Sequence, residues 1–523
     1  MSGKYRLTTL GCKVNQYESQ QIRETLESLG LRAARRGETP DLGVVNTCAV
    51  TVSAARKSRQ FIRRVSEQGK VPIVVVGCYA AAAADTLQHM DGVVAVLGHD
   101  RDICQELREV ASCRLETGAD HRHRLGAPGR ADAHEPHPAA GRASVGDDVL
   151  RSTTDPVQGP PSTRSADCRP ATTSSIRIPV GRVNNANPLN RTIRAFAGHQ
   201  RAFLKVQDGC DARCTYCIIP RLRPRPGWKP IATAVEEARA LVGAGHREIV
   251  VTGIYLGAYG RSTAVRRPFN DDASPLADLI DALATVEGLT RLRLSSLEPG
   301  DVDDRLLSAL RRHDCCVPHL HVPLQAGSDA VLRRMNRQYT VGQFFDMIDR
   351  VRTELDRPAL STDVVVGFPG ETDADFERTL DIVRHAAFCK VHAFPFSPRP
   401  GTAAAGWADQ FVDSGVVKQR MNRLADVERQ TARRFVGSFV GCEERVIVEQ
   451  SASEASRTAG KPHDSLRHGR TDRYFDVHFA GPDVCAGDVA KVRIDAVTPG
   501  GARGTLIKTL CATNCLSDRH RVT

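Results

Sequence analysis

Six of the sixteen cysteines stand in two sets that could hold metal. One set is compact: Cys210, Cys214 and Cys217 in the run Val206-Gln-Asp-Gly-Cys210-Asp-Ala-Arg-Cys214-Thr-Tyr-Cys217. The other, Cys12, Cys48 and Cys78, is strung along the N-terminal part of the chain. Three thiolates spaced Cys-x3-Cys-x2-Cys can bind three irons of a cubane iron–sulfur cluster and leave the fourth without a protein ligand. An open iron can take a substrate or cofactor, so two such sets imply two clusters in one enzyme. A zinc site or an electron-transfer cluster is the plainer meaning of the same residues.

Loops after parallel strands gather at one edge of a sheet, which is how cysteines distant in sequence can converge. Between residues 1 and 113, β-rich runs at 5–10, 42–46 and 71–77 alternate with helical stretches at 16–29, 54–65 and 80–89. The alternation predicts a small parallel-sheet α/β domain. Cys12, Cys48 and Cys78 each fall just beyond one of its strands. Alternation returns over 195–436, with β-rich runs at 202–206, 248–252, 291–295, 319–324, 362–368 and 391–396 and helices that include 233–244, 275–285, 329–335 and 373–385. Six βα units predict an α/β fold built on an incomplete (β/α)6 barrel, with the compact cysteine loop after its first strand. Short alternating runs at 444–449, 474–479 and 489–497 predict a small all-β barrel over 437–512, followed by a tail at 513–523. Residues 114–194 are dominated by Arg, His, Pro, Ala, Ser and Gly and read as a disordered linker or insertion.

The bulk composition agrees. A chain of 523 residues with 41% hydrophobic content can build several cores, and a net charge of +11 suits a polyanionic partner such as RNA. The longest nearly apolar run, 71–84, is too short to span a membrane, and the N-terminus enters strand-like sequence rather than a signal peptide. A cytoplasmic, membrane-free protein is expected. There cysteines stay reduced, and clustered ones are metal ligands or catalytic rather than disulfides.

With these motifs in order, the chain resembles the radical S-adenosylmethionine (radical SAM) superfamily. That resemblance implies that the open iron at Cys210, Cys214 and Cys217 chelates the methionine moiety of SAM, and that the reduced cluster cleaves the cofactor to a 5′-deoxyadenosyl radical. Thr8-Thr-Leu-Gly-Cys12-Lys-Val-Asn-Gln-Tyr-Glu18, Val45-Asn-Thr-Cys48-Ala-Val-Thr and Val76-Gly-Cys78 resemble the N-terminal domain of methylthiotransferases. Val322-Pro-Leu-Gln-Ala-Gly-Ser-Asp329, Thr362-Asp-Val-Val-Val-Gly-Phe-Pro-Gly-Glu371 and a C-terminal β domain similar to a TRAM RNA-binding domain extend the likeness over most of the chain outside the linker. The implied cofactors are two [4Fe-4S] clusters and SAM, with the set at Cys12, Cys48 and Cys78 presenting sulfur. Carbon 2 of an adenine has no acidic proton worth using, so cofactor radical chemistry suits it where acid–base residues do not.

The motif around Cys12, with Thr47-Cys-Ala-Val-Thr51 and Arg56-Lys-Ser-Arg59, looks most like the branch acting on N6-threonylcarbamoyladenosine at position 37 of tRNA. An anticodon-loop base can be splayed into a pocket at less cost than a paired one. An electron donor such as flavodoxin or ferredoxin is implied as a further partner. The alternatives are the branches acting on N6-isopentenyladenosine or on a ribosomal-protein aspartate and, outside enzymes, a redox sensor or electron carrier.

By the same resemblance Thr252, Gly253, Glu298, Gln325, Ser328, Gly367, Pro369 and Glu371 are expected to contact SAM. Arg333, Arg334 and Arg337 are expected to face RNA phosphates. Glu298 reads almost equally as an acid at a helix N-terminus, Ser328 as a helix cap, and 367–371 as a plain strand-to-helix turn. The chain departs from the family after Pro220, where Arg221-Leu-Arg-Pro-Arg-Pro-Gly-Trp-Lys229 replaces the usual Arg-Gly and Ser-Arg.

Overall fold

Strands rich in Val and Ile, each followed by a helix, have both faces to bury and so pair in parallel. In a computed structural model, which describes residues 3–67, 71–99, 102–117, 188–265, 273–449, 466–481 and 484–511, they form two such layers. The N-terminal sheet runs, in spatial order, Arg32–Ala33, Lys4–Thr9, Leu42–Thr47, Ile73–Gly77 and Val93–Leu97, every neighbour parallel. Strand order reverses between Lys4–Thr9 and Leu42–Thr47, the switch point at which open α/β sheets form a crevice. Two strands, 32–33 and 93–97, go unread in the sequence. The helix expected at 80–89 breaks at Ala83 into Cys78–Ala82 and Ala84–Leu87.

Six parallel strands make the central domain. Arg201–Lys205, Glu248–Thr252 and Arg291–Leu294 form one three-stranded sheet, and His319–His321, Ala359–Val366 and Lys390–Pro395 the other. Parallel bridges at Leu292–Cys316 and Ser296–His321 join them, so the strands follow chain order as the incomplete barrel predicted. The fourth strand ends at His321, short of the expected 319–324, because Pro323 cannot donate to the ladder.

The gap between first and last strands is met by the N-terminal domain. Helix Lys13–Ser28 sends Ile22 and Leu26 into its own sheet, whereas Tyr17 belongs to the barrel core. The Tyr17 hydroxyl donates to Glu237 at 2.7 Å and accepts from Lys229 at 3.0 Å. Near the last strand, the Val52 N–H donates to Ser397 Oγ at 2.9 Å. Residues 118–187, most of the expected linker, lie outside the described residues. At the linker's edges, helix Ile103–Thr117 runs past 114, while Leu189 and Ile193 are buried and the Ile193 N–H donates to Glu237.

The 24-residue helix Ser414–Gly437 leads into a closed five-stranded β barrel, order Glu443–Glu449, Leu466–Thr471, Asp476–Ala480, Gly501–Cys511, Val489–Thr498. The strand expected from 474 begins at Asp476, because Tyr474 sits in a turn at φ 69°. That turn plugs the central barrel. Tyr474 stacks on His319 at 4.4 Å, and the Arg293 and Arg470 guanidiniums lie over its ring. Arg291, fully buried, donates to the carbonyls of Arg470 and Thr471 at 2.8 Å and lies 3.0 Å from both Glu248 and Asp472.

Replacing Arg291 with Met takes one of two cations from each of the buried Glu248 and Asp472 and leaves the carbonyls of Arg470 and Thr471 without its donors, so a loss of about 2 kcal/mol or more is expected in urea denaturation. The arginines also hold Glu248 down at about 2 despite its burial, against 4.5 for an ordinary glutamate. Stability from this group is therefore complete above pH 4.5 and lost as pH falls through 2. Acid titration of stability should show a decline of about 3 kcal/mol from this group, smaller in Glu248→Gln.

Candidate active site

Cys12, Cys48 and Cys78 converge because each follows a strand of one sheet edge. Cys48 and Cys78 come directly after Leu42–Thr47 and Ile73–Gly77, and Cys12 caps helix Lys13–Ser28. Two asparagines of the N-terminal motifs staple the loops. The Asn15 amide donates to the carbonyls of Leu10 and Thr47, both at 2.9 Å, and Asn46 donates to Asn15 O at 2.9 Å. Gly77 has φ 95°, and a Cβ there would lie 2.4 Å from Asn46 Oδ1, so only glycine lets the chain enter Cys78. Cys48 and Cys78 are buried and Cys12 is exposed.

Cys210, Cys214 and Cys217 lie on the loop after the first barrel strand, with the Cys217 N–H bonded to Cys214 O at 3.0 Å. Arg337 donates to Cys214 Sγ at 3.2 Å and to Tyr216 Oη at 3.4 Å, and it pairs with Glu298. The two cysteine sets are linked by a residue the sequence reading passed over, Arg223. Its guanidinium donates to both oxygens of Glu18 at 2.8 and 2.9 Å, to Asp208 at 2.8 Å, and to His99 Nε2 at 2.8 Å. It also bonds to and electrostatically favours the thiolate of Cys78. Lys205 completes the cluster, 2.8 Å from Glu18 and 2.7 Å from Asp208. Burial and the neighbouring Arg223 hold His99 near 4, so the ring is neutral and accepts.

The donor chemistry fits iron–sulfur ligation. Burial pushes Cys78 and Cys217 up to about 12 and Cys210 to about 11, so these thiols stay protonated until a metal compensates the thiolate. Arg223 Nε, Arg337 Nε and Arg399 Nε are buried without a hydrogen-bond partner. Each arginine acts on a ligand of one set: Arg223 on Cys78, Arg337 on Cys217, Arg399 on Cys48. Orphaned cationic donors of this kind suit an anionic group. Among the described residues no three His, Cys, Asp or Glu side chains close on a single-ion position. A cubane puts each thiolate on a different iron, so its ligands stand further apart than those of one ion.

Several of the expected contact residues have partners within the chain. Arg337 faces the Cys214 thiol and Glu298, with its side chain 7% exposed. Arg334 lies over the Trp407 ring and donates to Gln410, and both it and Arg333 are exposed. Glu298 is occupied by Arg337 and by a capping box with Asp301. The Ser328 hydroxyl is turned away to Asp375 at 2.6 Å. In the 367–371 turn, Gly367 has φ 74° and packs on Val417, while Pro369 is buried. Glu371 folds back to accept from the Gly367 N–H at 2.7 Å and Arg420 at 2.8 Å. Burial raises Glu371 to about 7, and its role here is to brace its own turn.

Thr252 ends the second barrel strand, and Gly253 permits close approach of Gln207, whose Cβ would be 2.8 Å from an added Cβ. Gln325 adopts φ 61° while its backbone bonds to Asp363 and Val365 on the fifth strand. Strain of that kind in a non-glycine residue at a barrel rim is a mark of functional positions. The later barrel strands carry side chains that stay partly exposed. On the fifth strand Asp363, paired with His321 at 3.3 Å, keeps a 30% exposed side chain. On the sixth, Phe394 is 44% exposed two residues beyond His392.

Residues 204–383 match the family model described as the radical SAM superfamily, and residues 4–98 the one described as uncharacterized protein family UPF0004. The chain is 32% identical, over 93% of its length and 92% of the relative, to "Threonylcarbamoyladenosine tRNA methylthiotransferase MtaB" of Bacillus subtilis. It is 33% identical to the protein of the same description from Thermotoga maritima, with 95% of each chain covered. To "tRNA-2-methylthio-N(6)-dimethylallyladenosine synthase" of Sphingopyxis alaskensis it is 32% identical over 95% of this chain and 96% of the other.

The Arg223 junction generates a stability expectation. Arg223→Gln leaves Glu18 and Asp208 sharing Lys205 alone, and a loss of about 3 kcal/mol or more is expected by chemical denaturation. Glu18→Gln with Arg223→Gln should recover part of that loss, and a fully additive double variant would contradict the coupling.

Proposed function

The chain belongs to the tRNA methylthiotransferase family of radical SAM enzymes, and we propose that it places a methylthio group on carbon 2 of N6-threonylcarbamoyladenosine at position 37 of tRNA. The observation that carries this reading is the presence, on one chain, of two cysteine triplets joined through the buried Arg223 junction. We assign Cys210, Cys214 and Cys217 to one [4Fe-4S] cluster and Cys12, Cys48 and Cys78 to a second. When bound, the clusters and SAM supply what no side chain can, a radical able to activate an aromatic C–H bond and the sulfur that replaces the hydrogen.

The protein's own part is to hold, orient and shield. Arg337 supports Cys214, and its pairing with Glu298 fixes the guanidinium against the thiol loop. Thr252, Gly253 and Gln325 are the residues of the expected SAM-binding group left at the rim without another assigned task. The C-terminal barrel offers Arg493, Arg503 and Lys508 on its exposed surface, suited to RNA phosphates. An electron donor such as flavodoxin or ferredoxin belongs to the proposal, as does a cytoplasmic setting. Among the described residues no helix is long and apolar enough to cross a membrane.

Nucleoside mass analysis of tRNA from cells lacking the gene tests the substrate. The 2-methylthio derivative of N6-threonylcarbamoyladenosine should vanish, return with the wild-type gene, and stay absent with Cys48→Ala; its persistence in a deletion strain with no second such enzyme contradicts the reading. Anaerobic reconstitution should load about eight irons per chain, falling to about four when Cys12, Cys48 and Cys78 are all replaced by Ala.

A further inference from the structure

Helix Val52–Glu67 of the N-terminal domain has two faces of opposite kind. On its inner face Ile62 packs in the core, and the buried Ser58 hydroxyl accepts from the Cys48 N–H at 3.4 Å. On its outer face Arg56, Lys57, Gln60, Arg63 and Arg64 are exposed, and no acidic residue precedes Glu67 in the helix. Several exposed arginines of the barrel helices are neutralised by a neighbour: Arg305 lies 2.7 Å from Asp278, Arg311 2.7 Å from Glu354 and Arg384 2.7 Å from Asp381. Here the cations stand alone. Among the described residues Arg56, Lys57, Arg63 and Arg64 have neither an ion pair nor a side-chain hydrogen bond. Arg56, Arg59 and Arg63 follow one another at spacings of three and four, at which like charges oppose a helix. A polyanion laid along the face turns that repulsion into attraction.

The charged face begins at the rim of the barrel. Val50 and Val52, each 46% exposed, lead into the helix, and the Val52 N–H is bonded to Ser397 Oγ, just past the end of the sixth barrel strand at Pro395. Loops beyond the C-terminal ends of parallel strands are where barrel enzymes build their sites. The helix starts at that rim and extends about 18 Å from Val52 to Arg64. A nucleotide delivered to the rim therefore brings its flanking phosphates beside the helix. We propose that the outer face of helix Val52–Glu67, through Arg56, Lys57, Arg63 and Arg64, is a second RNA-binding surface that holds the phosphate backbone of the tRNA anticodon arm next to the Cys48 site. The assignment rests on the tRNA reading above and deepens it, adding a contact of the N-terminal domain to the one given to the C-terminal barrel. Contacts to phosphate position an RNA without reading its bases, so this surface serves modified and unmodified arms alike.

The test titrates the anaerobically reconstituted full chain, over a range of salt concentrations, with a synthetic anticodon stem-loop RNA carrying N6-threonylcarbamoyladenosine at position 37 and with the same RNA unmodified. Arg56→Gln, Lys57→Gln, Arg63→Gln and Arg64→Gln together should weaken binding of both RNAs about tenfold or more and leave the iron content unchanged. The slope of log Kd against log salt should become shallower by at least about one, and by about three where every cation meets a phosphate. A smaller change in slope overturns the assignment alone, and so does a loss confined to the modified RNA. If the fourfold variant loses iron, Arg63→Gln with Arg64→Gln decides. That pair should keep its iron and still lower the slope by about one; a wild-type slope, or loss of iron here too, overturns the assignment. A wild type that binds neither stem-loop overturns the tRNA reading together with it.

Discussion

An incomplete barrel has two unpaired edges, and the charges that line its opening set how the gap is met. Lys205 on the first strand and Arg223 on the following loop are buried cations, and neither can be left without a carboxylate. Asp208 supplies one from the barrel itself, but the second, Glu18, comes from the N-terminal domain. A desolvated ion pair breaks at a cost of several kcal/mol when one partner is withdrawn. The N-terminal domain is therefore held in one register against the barrel. Because Arg223 also reaches Cys78, the same register fixes one cysteine set relative to the other.

The opposite end of the barrel follows the same logic with different partners. Arg291 and Arg293 are inward-facing cations on a short strand, matched by Glu248 next door and by the Asp472 turn of the C-terminal domain. Tyr474 accepts a left-handed backbone there, and its ring recovers contact with His319 and two guanidiniums. Hydrophobic packing acts mostly within each domain, with Tyr17 crossing into the barrel core and Leu222 onto the N-terminal sheet, and polar groups add the paired charges by which the domains meet.

Legibility in the sequence followed locality. Cys12, Cys48 and Cys78 could be gathered on one edge because the strand-then-loop rhythm around each is local, and Cys210, Cys214 and Cys217 needed only their spacing. The partners of Arg337, Cys214 and Glu298, were not legible because they are brought to it by the fold and not by any helical period. Glu371 looked available for a cofactor until Arg420, from a helix 49 residues on, was seen to occupy it. Arg223 lay in the stretch that departs from the family pattern, and its partner Glu18 is 205 residues away. Short strands such as 32–33 carry too few residues to show an alternation at all. Two-residue strands exist because a neighbour pairs with them.

The exposure of the cysteines gives the N-terminal site a direction. Cys48 and Cys78 are buried against the sheet edge, whereas Cys12 is exposed at the start of a helix that faces the barrel. A group held by all three is thus backed by protein at two ligands and open beside the third.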